Sequence, residues 1–253
     1  MTATDSERIG GEALSKNRQP LLDEAAALIL RHAPRPGVHP TLVPGLTLYH
    51  ITANTFIERS AGELMTSFIV RGRKSTAIGG RILEYGPGES LVCGIASPSE
   101  FHTLDASREN PFLALSVSLD MTVLMEYAGA LVRSQSVRRE EEFPNGVHVI
   151  RPDRDLSGAF LSLLRLLERP SLVVLRAPLH LRDLHALLLD SSCGPALRSL
   201  ACAGTKGHAV LNAVSWMRTN YADSSSIEAL AARANMSNAT FHRHFREVTG
   251  FSP

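Results

Sequence analysis

Net charge is nearly absent: 26 Lys and Arg stand against 25 Asp and Glu in 253 residues, leaving +1 with histidine neutral. That balance removes the strong field by which many basic proteins attract nucleic acid or membrane surfaces, so charge alone names no partner. Cysteine is scarce too. Cys93, Cys193 and Cys202 are odd in number and far apart, with no pair at metal-ligand or redox spacing, which excludes a disulfide framework and points to structural thiols in a reducing compartment. No apolar run approaches the ~20 residues needed to span a bilayer. The opening Met1-Thr-Ala-Thr-Asp-Ser-Glu-Arg8 has no signal-peptide core, so a cytoplasmic address is expected, with no membrane partner. No Gly-x-Ser-x-Gly elbow, phosphate-binding Gly-rich loop, dinucleotide fingerprint or internal repeat occurs. No enzyme activity and no cofactor are therefore expected.

What the chain has is 44% hydrophobic and 20% charged residues, an ordinary globular balance over a length sufficient for about two domains. Residues 1–20 are polar and read as a mobile tail. Leu22, Ala25, Ala26 and Ile29 then recur at helical spacing. From Gly37 to about Leu119 the pattern changes to short apolar or alternating runs between Gly and Pro, among them 46–51, 65–70, 90–93 and 112–117. Such runs predict an antiparallel sandwich or small barrel, with Gly86-Pro87-Gly88 as a turn between strands. Helices are predicted again after Leu119. One carries Met121, Leu124, Met125, Ala128 and Leu131; another carries Leu156, Phe160, Leu163, Leu164 and Leu167 and ends by Pro170; a third carries Leu181, Leu184 and Leu188. The last two stripes suit the core of this domain or a surface between two copies. The charged run 138–142 reads as a solvated loop, Gly194-Pro195 as a turn and 203–207 as a linker.

The most informative segment is Ser226 to Pro253. Ile227, Leu230, Ala231 and Ala234 form a narrow apolar stripe after Ser226, a natural N-cap. Asn235 stands where the chain must turn and tolerates the left-handed conformation, and Ser237 caps a second helix. On that helix Phe241, Phe245 and Val248 share one side and must face the core, so Ala239, His242, Arg243 and Arg246 point away. Arg243 can donate two parallel bonds to guanine, Ala239 can meet a thymine methyl, His242 can bond a base edge, and Arg246 suits a phosphate. His244 and Asn238 lie on the flanks of the apolar side, which favours structural roles; Asn238 is nonetheless kept among the DNA-binding candidates. The spacing alone also fits an ordinary pair of core helices, and residues 206–253 hold only five Lys or Arg against three Asp or Glu.

These residues carry a resemblance. The leading helix with Trp216, Ile227-Glu-Ala-Leu-Ala-Ala-Arg-Ala234, Met236-Ser237, Phe241-His-Arg-His-Phe245 and Gly250-Phe-Ser-Pro253 are similar to the first helix-turn-helix of AraC/XylS-type transcriptional regulators. Ala177-Pro-Leu-His-Leu-Arg-Asp-Leu-His185, Tyr85-Gly-Pro-Gly-Glu-Ser-Leu91 and Asn110-Pro-Phe-Leu-Ala-Leu-Ser-Val-Ser-Leu-Asp120 resemble the N-terminal effector domain of one branch of that family. The resemblance implies an α+β fold: a cupin-like β-barrel domain with flanking helices over residues 21–203, β-rich from 37 to 119 and helical from 120 to 203, then an all-α helix-turn-helix segment over 204–253. Asn235 departs from the family's usual Gly. The family continues into a second helix-turn-helix, so only half of the expected reader falls within these residues.

The function expected is sequence-specific transcriptional regulation in response to a small-molecule effector bound in the barrel mouth. The expected partners are DNA through the major groove, an unidentified effector, a second copy of the chain and RNA polymerase. Two alternatives stand beside it. A metal-dependent cupin-type enzyme would need converging histidines and a carboxylate, whereas His39, His50 and His102 are isolated and the rings of His242 and His244 face different ways. No metal ligand is therefore assigned. A shortened regulator would keep ligand binding and self-association without binding DNA on its own.

Overall fold

The computed structural model describes residues 3–55, 58–60, 62–134, 146–220 and 226–253. The charged run 138–142 lies outside them. Ten strands form two wholly antiparallel sheets. Strands β1 (Gly37–Pro40), β2 (Leu46–Ile51), β4 (Met65–Arg71), β7 (Ser90–Cys93), β9 (Phe112–Ser118) and β10 (Val147–Ile150) make the larger, in the order β1-β2-β9-β4-β7-β10. Strands β3 (Glu58–Ser60), β5 (Arg73–Ile78), β6 (Arg81–Tyr85) and β8 (Ser99–Leu104) make the smaller, in the order β3-β8-β5-β6. Apart from the hairpins β1–β2 and β5–β6 and the step from β9 to β10, the chain crosses from one sheet to the other at each connection, and residues of both sheets share one interior cluster, the barrel expected from the sequence. The turn from β6 to β7 is Gly86-Pro87-Gly88: Gly88, at φ +77, donates to the Ile69 carbonyl, and Glu89 both donates to and accepts from Gly86.

The two faces of the larger sheet separate by strand parity. One parity sends Leu46, Leu48, Phe68, Val70, Val92, Leu113, Leu115 and Val117 into the main core with helix α1 (Ala3–His32) and helix α3 (Arg154–Leu166). The Phe68 and Phe160 rings stack there, 5.0 Å apart and nearly parallel. The other parity sends Ile69, Leu91, Cys93, Phe112, Ala114 and Val147 toward Ile78, Leu83 and Tyr85 of the smaller sheet.

Helix α2 (Met121–Arg133) is capped by Asp120, whose carboxylate accepts from Thr122 and Val123. The stripe on α3 is core, with Leu156, Phe160, Leu163 and Leu164 at 0–1% exposure. On α4 (Val173–Asp190) Leu184 and Leu188 are buried, while Val174, Leu175 and Leu179 on another face are 66–83% exposed. All three cysteines are buried, and none of them forms a disulfide.

Three differences from the sequence reading have physical causes. Helix α1 begins at Ala3, inside the stretch read as a tail; that half is polar and shows no apolar stripe, so periodicity gave no sign of it. A strand, β10, lies within the region read as helical, because four residues are too few for a visible alternation. The supposed linker is a tight turn between α5 (Gly194–Ala201) and α6 (Lys206–Thr219). Thr205 there accepts from His208 and donates to the carbonyls of Ser199 and Cys202, and Gly207 presses on Ser199 with no room for a side chain.

Candidate DNA interface and barrel interior

Helix α7 (Ile227–Arg233) is opened by Ser226, whose hydroxyl accepts from the Ala229 amide. The chain then turns at Asn235, which adopts φ 54, the left-handed conformation expected of it. Met236 and Asn235 donate back to Ala231 and Ala232, closing the helix end. Ser237 caps helix α8 (Asn238–Thr249) through the Thr240 amide, and Gly250 at φ 79 ends it. Phe241, Phe245 and Val248 are buried at 0%, 6% and 6%, and the two rings pack at 5.6 Å. They join Val210, Leu211, Val214, Leu230 and Ala231 in one core, with Arg233 lying over the Trp216 ring at 5.1 Å.

The sequence-derived site residues fall on the opposite side. Asn238, Ala239, His242, Arg243 and Arg246 are all exposed. Among the described residues no carboxylate lies within 4 Å of Arg243 or Arg246, so both guanidinium groups are available; the Arg243 fork approaches only the His244 ring, at 3.5 Å. His244 is 5% exposed and its Nδ1 meets Glu247 Oε2 at 2.8 Å, a structural placement. Asn238 stands apart from the other four: its Nδ2 donates to Glu228 Oε1 at 3.4 Å, tying the start of α8 to α7. Bonds from its own backbone amide and from Ser226, with the nearby His242 adding to them, hold the Glu228 carboxyl below its ordinary value. His39 and His50 are each engaged by a backbone carbonyl, of Arg35 and Ala33, and among the described residues no group of three His, Cys, Asp or Glu could hold a metal.

The helix pair is seated against the barrel. Ile95, just after β7, belongs to its core; the Gly146 amide donates to Val248, and Arg218 donates to Gly62. Gly79, in the turn between β5 and β6, meets Gly250 backbone to backbone. A Cβ built on Gly250 would lie 2.2 Å from the Gly79 Cα.

Inside the barrel the burial of β2 alternates strictly. Leu46, Leu48 and His50 toward the helices are sealed, whereas Thr47, Tyr49 and Ile51 toward the interior keep partial exposure. The interior is rich in hydroxyls: Tyr49 pairs with Ser116 at 3.2 Å, Tyr85 with Thr76 at 3.0 Å, and Ser67 Oγ, beside Tyr85, is buried with no hydrogen-bond partner of proper geometry. A single lysine joins them. Lys74, cross-strand from Tyr85 and Thr103, sets its ammonium 3.8 Å from the centre of the Phe101 ring and 5.8 Å from that of Tyr49. Burial pulls it down to about 8, with Glu58 working weakly the other way. Burial also pushes the Cys93 thiol up to about 12 and the Tyr85 phenol above its ordinary value, so both are neutral. Lys74 was not singled out in the sequence; its shared parity with Thr76 and Ile78 was the available signal.

A two-sheet antiparallel barrel with flanking helices leads into a capped helix pair, and the family model described as AraC-type transcriptional regulator N-terminus matches residues 42–196. The chain belongs to the AraC-type transcriptional regulators. The match covers strands β2 to β10 and the helices from α2 through the start of α5, ahead of the α7–α8 pair. Solved AraC-like structures are similar at low identity. The AraC-like transcriptional activator CuxR aligns at TM-score 0.40 and 13% identity over 81% of this chain and 71% of that one. ToxT from Vibrio cholerae aligns at TM-score 0.37 and 9% identity over 82% and 95%. ToxT bound to (E)-4-(8-methylnaphthalen-1-yl)but-3-enoic acid aligns at 0.39 and 11% over 82% and 96%. At such scores they add no argument to the family match. No curated protein matches. Among the described residues no helix is long and apolar enough to cross a membrane.

Proposed function

We propose that this AraC-type chain binds specific DNA through α8 and regulates transcription in response to a small molecule held in its barrel. The observation that carries the reading is the division of α8: Phe241 and Phe245 are sealed inside, while Ala239, His242, Arg243 and Arg246 are exposed on the outside and neither arginine is paired with a carboxylate among the described residues. Arg243 reads a guanine edge, Ala239 and His242 contact neighbouring bases, Arg246 meets a phosphate, and Asn238 braces the helix entry. One reading helix makes few phosphate contacts, so the affinity contributed by α8 is modest and strongly salt-dependent. Two copies would double those contacts, and the bare Val174, Leu175 and Leu179 on α4 offer a surface for pairing. The proposed setting is cytoplasmic, beside RNA polymerase, without catalysis.

The effector acts only by its differential affinity for the arrangements of the barrel against the helix pair. The seating of α8 on the barrel through Gly79, Gly146 and Ile95 is the contact such a ligand would bias.

Selection of bound sequences from a random DNA pool tests the reading. Arg243→Ala should cost about 1 to 3 kcal/mol on the selected site and relax preference at one base position. Arg246→Ala should weaken binding to all sequences alike and reduce the salt slope by about one. Unchanged selectivity in both variants would refute the assignment of this face.

A further inference from the structure

Between the end of α3 and the first turns of α4 the helical layer opens a groove of about 420 Å³ whose charge is lopsided. Arg165, Arg169 and Arg176 line it together with His180, against a single carboxylate, Glu168. Glu168 is occupied elsewhere: its oxygens meet the His32 ring and accept from Arg31, and these bonds hold its carboxyl below the ordinary range. Arg165 is likewise engaged, its fork laid on Glu24 at 2.6 and 2.8 Å. That leaves Arg169 and Arg176. Among the described residues neither has a carboxylate within ion-pairing distance, so two guanidinium groups share one concave surface without a counter-charge.

An arginine near the C-terminal end of a helix is an ordinary surface residue, and Arg165 and Arg169 at the end of α3 fit that description. Arg176 does not. It is the fourth residue of α4, at the end of a helix that disfavours a cation, and no acidic residue shares that first turn. One turn further on, His180 is partly withdrawn from water on the same face. Burial and then the Arg176 charge pull its imidazole below the ordinary value, with Asp183 working the other way, so the ring is neutral at pH 7 and offers one N–H. Buried Leu166 gives the groove an apolar floor.

This arrangement selects among anions. A carboxylate has two oxygens and one charge, enough for one guanidinium fork; two forks and an imidazole match a terminal phosphoryl group, with three acceptor oxygens and close to two charges at pH 7. The phosphodiesters of DNA carry one charge each along a convex duplex, whereas a groove of this size suits a small body. We propose that the α3–α4 groove binds a small phosphomonoester, its phosphoryl group bridging Arg169 and Arg176 with the His180 ring as a third donor and its organic body over Leu166. The site lies outside the barrel and depends neither on the effector reading nor on the assignment of α8.

The test titrates phenyl phosphate and glycerol 3-phosphate into the 253-residue chain by calorimetry at pH 7 in about 0.15 M chloride. Phenyl sulfate, benzoate and dimethyl phosphate serve as monoanionic references. At least one phosphomonoester should bind about tenfold or more tightly than every reference. Arg169→Gln and Arg176→Gln should each weaken it about tenfold or more, and Arg176→Lys should recover only part of the loss, because an ammonium cannot bond two oxygens side by side. Arg154→Gln removes an equal charge from the other end of α3 and should leave the affinity where it was. Arg169 and Arg176 are exposed, so neither variant should lower the melting temperature of the free chain. NMR of the histidine rings locates the site. On saturation His180 should titrate higher than in the free chain, facing Arg165, Glu168 and Arg169 across the groove and Arg176 and Asp183 on its own helix, while His208 stays unmoved.

The inference is overturned if neither phosphomonoester binds below about 10 mM, if phenyl sulfate binds as well as phenyl phosphate, if Arg154→Gln weakens binding as much as Arg176→Gln, or if binding leaves His180 unmoved. A groove that seats the DNA backbone would instead take dimethyl phosphate equally well and lose operator affinity in Arg176→Gln, and that outcome also ends it.

Discussion

The two faces of the six-stranded sheet are built from the same strands and differ in what they are for. Toward the helices, Phe68, Leu113, Leu115 and Val117 are at 0–1% exposure and interlock with α1 and α3. Toward the barrel interior, the alternate residues include Tyr49, Ser67 and Ser116, half-accessible or hydroxyl-bearing, and look across at Lys74 and Thr76. Stability is concentrated on the first face by removal of apolar area from water. The second face gives up part of that gain for polar groups that a packed core does not need. A fold can separate these tasks because the side-chain period of a strand is two: one sheet carries both without mixing them.

Substitutions on either side sharpen or break that contrast. The largest effect is expected at the helix-side ring stack, where Phe160→Ala should cost about 3 to 5 kcal/mol in denaturant unfolding; a loss below about 1 kcal/mol would show that the helical layer is not the main core. Next comes Lys74→Met. With its amine pulled from 10.5 down to about 8, the folded chain disfavours the charged form, so removing the charge should stabilise the unliganded protein at pH 7 by roughly 1 to 3 kcal/mol. The sign fixes a pH window. A depressed lysine penalises folding most below about 8, and the penalty fades as pH rises to 10.5, where the unfolded lysine also loses its proton. The gap between the two proteins should therefore close across that interval. Taking the difference cancels the opposing contribution of Cys93, whose raised thiol loses stability above 9 as the unfolded chain ionises. A constant gap would show that Lys74 is solvated.

A smaller contrast is set by two serines on opposite faces. Ser90 donates to the Ser67 carbonyl and meets Thr66 Oγ1 at 2.9 Å on the sealed side, so Ser90→Ala leaves a buried hydroxyl alone and should cost about 1 to 3 kcal/mol. Ser67 Oγ on the interior side has no such partner. Ser67→Ala should fall within about 1 kcal/mol of neutral, and a loss comparable to that of Ser90→Ala would erase the distinction.

Legibility in the sequence followed burial. The strands of the larger sheet with strong apolar runs, β2, β4, β7 and β9, are visible because both their faces are covered. The smaller sheet is not: β5 reads Arg-Lys-Ser-Thr-Ala-Ile and β8 Ser-Glu-Phe-His-Thr-Leu, with a solvated outer face and a polar inner one, so neither parity is uniformly apolar. The α7–α8 pair was legible for another reason. Its signals are local: Ser226, Asn235 and Ser237 act on backbone groups within three or four residues, and the aromatic spacing fixes which side turns inward. Contacts made at long range left no such mark. Nothing near Gly79 or Gly250 announces that they meet, and Lys74 is ordinary until Phe101, from another strand, arrives beneath its ammonium.

The meeting of Gly79 with Gly250 sets how closely α8 is mounted on the barrel. Main chain rests on main chain there, with no rotamer to swing aside. A single added methyl at either position would be a wedge driven between hairpin and helix, and α8 would have to shift bodily to admit it.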